Sequence, residues 1–415
     1  MKNFMPVWFA LCSLGVGCVT QEDERVSTQT QLGLGNNPTE AQIKALVDGV
    51  VGNADPQAVP RRHVALSVVV IVNGTKHFYH YGETYDGSGV APNNDTIYQI
   101  ASLSKTFTGT MLSKLHWDNK LDWHDLLTDH ISQNLTGGRQ QITLRHLGLH
   151  EAGLTKDNPG SNASNSTGTY VGDMNKLKDS LLVCNTTFPC IPPDGDELPH
   201  HYSNWGYQVL SAVLADSMTT TVPVLYKKDI FAPRGMTSTG YKDGLVETSC
   251  LASGTHCTFS DYGNCTYVAA CHYSFNHRVA PGYHRTSGVA VLSGDGQGTD
   301  KPAAFGSGTV WSTTSDMAKW LAFQMNAEGT NTATEERYLA SAQLPRTVDG
   351  VSFFSDHATT AGGSPILIKS GDSPDQYKSG LAFTEDRKVG VVVLSNFDPV
   401  SAKEIARSIV GGIVD

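Results

Sequence analysis

The strongest restriction on the fold of this chain is that its strand-forming segments lie in two groups far apart in the sequence. The early group is the β-branched run Val64 to Val72, the turn pair Asn73-Gly74 and the stretch Lys76 to Gly82, which includes Phe78-Tyr79-His80-Tyr81. An Asn-Gly pair between two such runs signals a hairpin, because both residue types accept the left-handed backbone of a tight turn. The late group is Ile366 to Lys369, Gly380 to Thr384 and Val389 to Ser395. Early and late strands must pair to bury their apolar faces, which predicts one shared antiparallel sheet. Ile43, Leu46, Val47 and Val50 follow Pro38-Thr39-Glu40 at helical spacing, and a second amphipathic stretch runs from about Pro399 to Val410. Further helical patterns occupy Ser104 to His116, Leu144 to Leu149, Tyr207 to Ser217 and Ser315 to Asn326. The expected class is α/β (α+β): an antiparallel β-sheet flanked by N- and C-terminal helices, with an inserted mainly helical subdomain. One domain is expected over 38–415, with the sheet drawn from about 60–100 and 300–415 and the helical part from about 102–300.

With 39% hydrophobic and 17% charged residues, the chain has the balance of a globular protein with a real core rather than of a coiled coil or a disordered chain. Its formal net charge of −10 leaves no dense basic face, so no nucleic-acid partner is expected and any acidic substrate must be met by a few local cations. Lys2, the apolar stretch Phe4 to Val16 and the small residues Gly15-Val16-Gly17 read as an export signal over 1–17, too short to span a bilayer. Cys18 follows, with Leu14 four residues before it, in the manner of a bacterial lipoprotein signal with an imperfect cleavage box. Membrane attachment through a lipidated Cys18 and plain secretion both stay open. Residues 18–37 are polar, without periodicity, and read as a flexible linker.

Eight Cys are present; beyond Cys12 and Cys18 there remain Cys184, Cys190, Cys250, Cys257, Cys265 and Cys271. An even number in an exported chain points to disulfides, with connectivity open. The Cys-rich stretch of about 247–285 reads as a stapled insertion, and zinc is the alternative there, although no Cys-x-x-Cys pair is present.

The chemistry concentrates in three short elements. Ser102-Leu103-Ser104-Lys105 is the one Ser-x-x-Lys in the chain, placed where a loop gives way to a helix. Positions i and i+3 share a helix face, so the Lys105 side chain reaches the Ser102 hydroxyl, and a serine hydroxyl becomes a useful nucleophile only when a neighbouring base takes its proton. Tyr202-Ser203-Asn204 and Lys369-Ser370-Gly371 follow in order, the latter at the end of Ile366-Leu367-Ile368. Two decoys exist: Tyr262-Gly263-Asn264 sits in the Cys-rich stretch, and Lys378-Ser379-Gly380 lacks such a lead-in strand.

Ser-x-x-Lys with a Tyr-Ser-Asn element and a Lys-Ser-Gly element resembles the signature of the family of class C β-lactamases, D-Ala-D-Ala carboxypeptidases and related esterases. Blocks such as Ile142-Thr143-Leu144-Arg145-His146-Leu147, Ala152-Gly153-Leu154, Phe231-Ala232-Pro233-Arg234-Gly235-Met236 and Trp311-Ser312-Thr313 extend the resemblance over about residues 40 to 415. The resemblance implies a β-lactamase/transpeptidase-like fold and an acyl-enzyme on Ser102, with Lys105 and Tyr202 relaying its proton. Asn204 is expected to hold the substrate amide or Lys105, and Lys369 and Ser370 to face a substrate carboxylate. The backbone N–H groups of Ser102 and of Asp372, after Gly371, would form the oxyanion hole. The substrate would be a small molecule or peptide with an amide, lactam or ester bond, and no metal or organic cofactor is expected. The departure is Gly371-Asp372-Ser373-Pro374-Asp375, where acidic side chains stand near the place for a carboxylate and weaken the antibiotic reading. His146 and His150 are read as packing or capping residues rather than zinc ligands, and His200 and His201 as cleft-lining or surface residues.

Overall fold

The computed structural model describes residues 33–35, 37–54, 65–84, 88–157, 200–240, 250–252, 255–257, 278–286, 289–294, 304–373, 376–397 and 400–415. Residues 1–17, expected to be an export signal, and Cys18, Cys184, Cys190, Cys265, Cys271, Tyr262 and Asp375 lie outside these residues.

Helix α1 (Glu40–Ala54) precedes β1 (Leu66–Val72) and β2 (Thr75–Tyr81), joined by the expected turn, in which Asn73 and Gly74 have φ of 47° and 84°. Next come β3 (Ile97–Gln99), a 3₁₀ turn (Ala101–Leu103), α2 (Ser104–Trp117), α3 (Leu144–Gly148), α4 (Asn204–Ser217) and α5 (Val222–Tyr226). Two small ribbons follow, β4 (Cys250–Ala252) with β5 (Thr255–Cys257) and β6 (Gly282–Thr286) with β7 (Val289–Gly294). Cys250 and Cys257 are Cα partners in the first ribbon. The chain closes with β8 (Trp311–Thr313), α6 (Thr314–Met325), α7 (Ala333–Gln343), β9 (Asp356–Thr359), β10 (Pro365–Asp372), β11 (Lys378–Thr384), β12 (Val389–Ser395) and α8 (Ala402–Val414).

The early hairpin and the late strands form one six-stranded sheet in the order β2-β1-β12-β11-β10-β9, antiparallel at every pairing. Period-two alternation divides the core into two layers. Leu66, Val68 and Val70 of β1, with Val391 and Val393 of β12, pack with α1 and α8 residues such as Val47, Ile405 and Ile409. Val69, Ile71, Val392 and Leu394 face the other way, into a larger cluster containing Phe107 of α2, Val213 of α4 and Trp320 of α6. Strands covered on both faces read as unbroken Val-rich runs, which is why β1 and β12 lack alternation in the sequence.

Helix α2 is buried on nearly every side, including Lys105. Its start is fixed by two neighbours: Ile100 N–H donates to the Val310 carbonyl at 3.0 Å, just before the β3–β8 pairing partner, and Ser379 Oγ of β11 donates to the Ile100 carbonyl at 2.7 Å.

Candidate active site

Ser102 sits on the 3₁₀ turn that opens α2, immediately after Ala101, whose φ is +44°. A non-glycine residue in the left-handed region is strained, and the hydrogen bond from Ser104 Oγ to the Ala101 carbonyl, 2.6 Å, helps to hold it there. Strand β10 comes so close that a Cβ on Gly371 would collide with the Ile100 carbonyl oxygen and with Ser379 Oγ. Glycine is required at 371 by contact with the nucleophile turn itself.

The second element is placed by a helix cap. Ser203 is the N-cap of α4, its Oγ accepting the Gly206 N–H at 2.8 Å and donating to the Thr155 carbonyl at 2.7 Å. That cap leaves Tyr202 just outside the helix and Asn204 in its first turn. Tyr202 Oη donates to Ser102 Oγ at 2.8 Å.

Lys105, wholly buried, is held by three oxygens: Ser102 Oγ at 3.1 Å, Asn204 Oδ1 at 2.7 Å and the Ser307 carbonyl at 2.5 Å. An ammonium has three donors, so all three contacts are satisfied when the lysine is charged. Burial, and then the charge of Lys369, pull the Lys105 pKa well below that of a free lysine. Once neutral, the amine keeps two donors for the two carbonyl oxygens, neither of which has a proton to offer. Its lone pair is left for the serine hydroxyl.

Tyr202 is driven the other way. Its phenol is raised above the usual tyrosine value, chiefly by burial, with Asp356, Asp372 and Asp157 adding to the shift and the Ser102 hydrogen bond opposing it. The Lys105 and Lys369 nitrogens lie 4.9 and 5.5 Å from its ring centre. These cations do not bring the phenol within the neutral range, so the geometry favours a protonated Tyr202 that donates to Ser102.

Strand pairing explains the third element. Strand β9 pairs with β10 only from Pro365 to Ile368, so from Lys369 to Asp372 that edge of β10 has no β9 partner. Lys369 and Gly371 share the strand face of Leu367, which belongs to the core layer containing α2, and Ser370 is out of phase with them. Ser370 is half-buried and is not hydrogen-bonded to Ser102, Lys105 or Tyr202. The decoy Lys378-Ser379-Gly380 lies directly across from the motif: Asp372 is paired with Lys378, Gly371 with Ser379 and Ser370 with Gly380. Lys378 Nζ stands 3.3 Å from Asp372 Oδ1, so that acidic departure has a basic neighbour.

Several participants were not singled out from the sequence. The Ser307 carbonyl is invisible to a motif scan, since a backbone oxygen has no sequence signature, and Ser379 enters the sequence only as part of a decoy motif although its hydroxyl holds the nucleophile turn. Asp157 accepts from Asn204 Nδ2 at 2.9 Å, and Asp356 Oδ1 stands 3.8 Å from Lys369 Nζ. The sequence reads His150 as a packing or capping residue, and its contacts are more particular than that. Its ring centre lies 4.5 Å from that of Tyr202, its Nδ1 accepts the Ser203 N–H at 3.0 Å, and its carbonyl accepts the His201 N–H at 2.8 Å. His146 caps α3, its Nδ1 accepting the Thr143 N–H at 3.1 Å.

A serine, a buried lysine and a tyrosine joined by hydrogen bonds, between an antiparallel sheet and a helical layer, define the β-lactamase and penicillin-binding-protein class of serine hydrolases. A family model described as Beta-lactamase matches residues 43–411, and the chain belongs to that family. It is 28% identical over 179 residues to the D-alanyl-D-alanine-carboxypeptidase/endopeptidase AmpH of Escherichia coli K12, covering 42% of this chain and 45% of AmpH. It is 21% identical over 374 residues to protein flp of Staphylococcus aureus strain COL, covering 87% of this chain and 64% of flp. The matches thus span less than two thirds of these relatives. In structure it is similar to a class C beta-lactamase, with a TM-score of 0.67 at 17% identity over 90% of this chain and 96% of the other. A beta-lactamase/D-alanine carboxypeptidase from Yersinia pestis gives 0.63 at 20% identity over 89% and 98%. At such identities the structural likeness speaks for the fold.

Proposed function

We propose that this protein is an exported serine hydrolase that acts through an acyl-enzyme on Ser102, with an ester, amide or β-lactam carbonyl as its target. The observation that supports it is the convergence on Ser102 Oγ of the Lys105 nitrogen at 3.1 Å and the Tyr202 hydroxyl at 2.8 Å. In this reading neutral Lys105 takes the serine proton as Oγ attacks the carbonyl carbon. The oxyanion is held by the N–H groups of Ser102 and Asp372, and the leaving atom, oxygen in an ester or nitrogen in an amide or lactam, takes the proton back from Lys105 while Tyr202 keeps its own proton and donates a hydrogen bond on that side. Water then attacks the acyl-enzyme, its proton passing to Lys105, and the acid is released as Ser102 recovers its hydrogen. Asn204 holds Lys105, while Lys369 and Ser370 line the substrate side. Export is supported by the Lys2 to Gly17 segment, and lipidation of Cys18 is the form of it that mass analysis of the mature N-terminus tests.

Incubation with a fluorescent penicillin and with a p-nitrophenyl ester, using Ser102→Ala as the control, tests the reading. Covalent labelling or ester turnover lost in Ser102→Ala supports it. Labelling without turnover points to a D-Ala-D-Ala carboxypeptidase, ester release without labelling to an esterase. Neither activity in the wild-type protein would leave a non-catalytic cell-envelope binding protein and overturn the proposal.

A further inference from the structure

We infer that Asp356 is a specificity-determining residue: by neutralising Lys369 it turns the site away from substrates ending in a carboxylate and toward neutral or ammonium-bearing ones. The inference rests on the functional reading above and deepens it. Asp356 opens β9 at the point where its pairing with β10 ends, its Cα opposite that of Ile368, the residue before Lys369. The two charged groups stand 3.8 Å apart, with the Lys369 side chain 9% exposed and that of Asp356 37% exposed. The lysine is therefore fixed in place and the carboxylate stands toward solvent.

The same arrangement recurs around the site. Lys378 holds Asp372 at 3.3 Å, and the Asn204 amide holds Asp157 at 2.9 Å. Every carboxylate in this ring acts on Tyr202, whose phenol all three push upward after burial has done so. They are thus within electrostatic reach of the group that touches Ser102. A substrate carboxylate approaching Lys369 must either displace Asp356 or lie beside a like charge. Repulsion built in next to an attractive group is a standard route to discrimination. Partial exposure of Asp356 screens the effect, which sets the expected discrimination at about tenfold rather than thousands.

The test uses three phenyl esters whose acyl chains end in a methyl, a carboxylate or an ammonium group, with the full-length protein and its Asp356→Asn variant. In the wild-type protein the carboxylate ester is expected to be the poorest by kcat/KM. In Asp356→Asn its kcat/KM relative to the methyl ester is expected to rise about tenfold, while the ammonium ester falls relative to the methyl ester. Asp372→Asn, which removes the charge beside Lys378 instead, is expected to change the ratio less. A carboxylate ester as good as the methyl ester in the wild-type protein, or an unchanged ratio in Asp356→Asn, overturns the inference while Ser102-dependent turnover keeps the functional reading intact. The wild-type comparison decides the matter even if the variant folds poorly. Ester turnover that survives Ser102→Ala overturns the functional reading, and the inference with it.

Discussion

At the scale of single residues, the protonation of Lys105 is the point on which the chemistry turns. Its pKa is lowered first by burial and then by Lys369, so the form able to accept the Ser102 proton exists at a lower pH than for a free lysine. Acylation is therefore expected to climb with pH and level off at a midpoint well below the ordinary lysine range, read from the pH dependence of burst amplitude or rate. Replacing Lys369 by Gln removes a positive neighbour, which lets Lys105 hold its proton more tightly. The midpoint in Lys369→Gln should move to higher pH, and a shift downward would contradict this account. Tyr202→Phe removes the donor to Ser102 and should cost about 10²- to 10³-fold in kcat, the range for loss of one positioned hydrogen-bond donor. His150 is expected to act on Tyr202 from behind. Asn at 150 keeps an acceptor for the Ser203 N–H and tolerates the positive φ of 62°, whereas Leu does neither. His150→Asn should thus retain more kcat than His150→Leu at similar KM, with thermal melting separating loss of fold from loss of alignment. Of these residues the motif serine, lysines and tyrosine were legible in the sequence because their spacing is chemical. The contact of His150 was not, because a ring packed at a tilt against a tyrosine leaves no mark in residue order.

At the scale of elements, legibility followed burial. The strands β1 and β12 were readable because both faces are covered, so nearly every residue is apolar. Strand β9 was missed: Asp-His-Ala-Thr is short, exposed or half-buried, and without alternation, and only its pairing with β10 makes it a strand. Helix α7 was missed although Thr332 and Glu335 form a capping box at its start, since its residues are largely polar and the apolar stripe is reduced to Tyr338, Leu339 and Ala342. Strand β10 runs further than its apolar lead, through the motif to Asp372, because β11 pairs with it along its whole motif end. This close pairing makes Gly371 a sensitive position. Gly371→Ala forces β10 away from the Ile100 carbonyl and Ser379, and with it the N–H of Asp372 from Ser102. Turnover should fall by about a hundredfold or more, as for loss of one oxyanion donor, with a smaller loss of thermal stability. Equal activity of Gly371→Ala and wild type would remove the oxyanion role given to this edge.

At the scale of the whole body, the site is assembled across the chain because its sheet is. Residues 66–72 are zipped to residues 389–395, so the nucleophile turn that follows the early hairpin is pressed against the late strands that bear Lys369. The pairing of early and late strands followed from apolar faces needing cover; its register did not, since runs of valine fit several offsets equally well. The far end of the β9–β10 hairpin is tied down by a contact that the sequence could not reveal. Asp415, beyond the end of α8, accepts from Thr360 Oγ1 at 2.7 Å, Ser364 Oγ at 2.6 Å and the Gly362 N–H at 2.8 Å. Burial raises the pKa of this carboxyl, but the bonds from Ser364, Thr360 and Gly362 together outweigh it and leave it below that of an ordinary aspartate. A carboxyl whose pKa is lowered on folding stabilises the folded state above its unfolded pKa, and that contribution fades as the pH falls through the folded value. Asp415→Asn should therefore lower the melting temperature at neutral pH and match the wild type in acid, where the native carboxyl is protonated too. Because the side chain is largely exposed, the effect should stay below about 1 kcal/mol, or about 2 °C in a body of this size. A difference that persisted undiminished under strongly acidic conditions would show that the carboxylate charge is not what fastens the hairpin beneath Asp356 and Lys369.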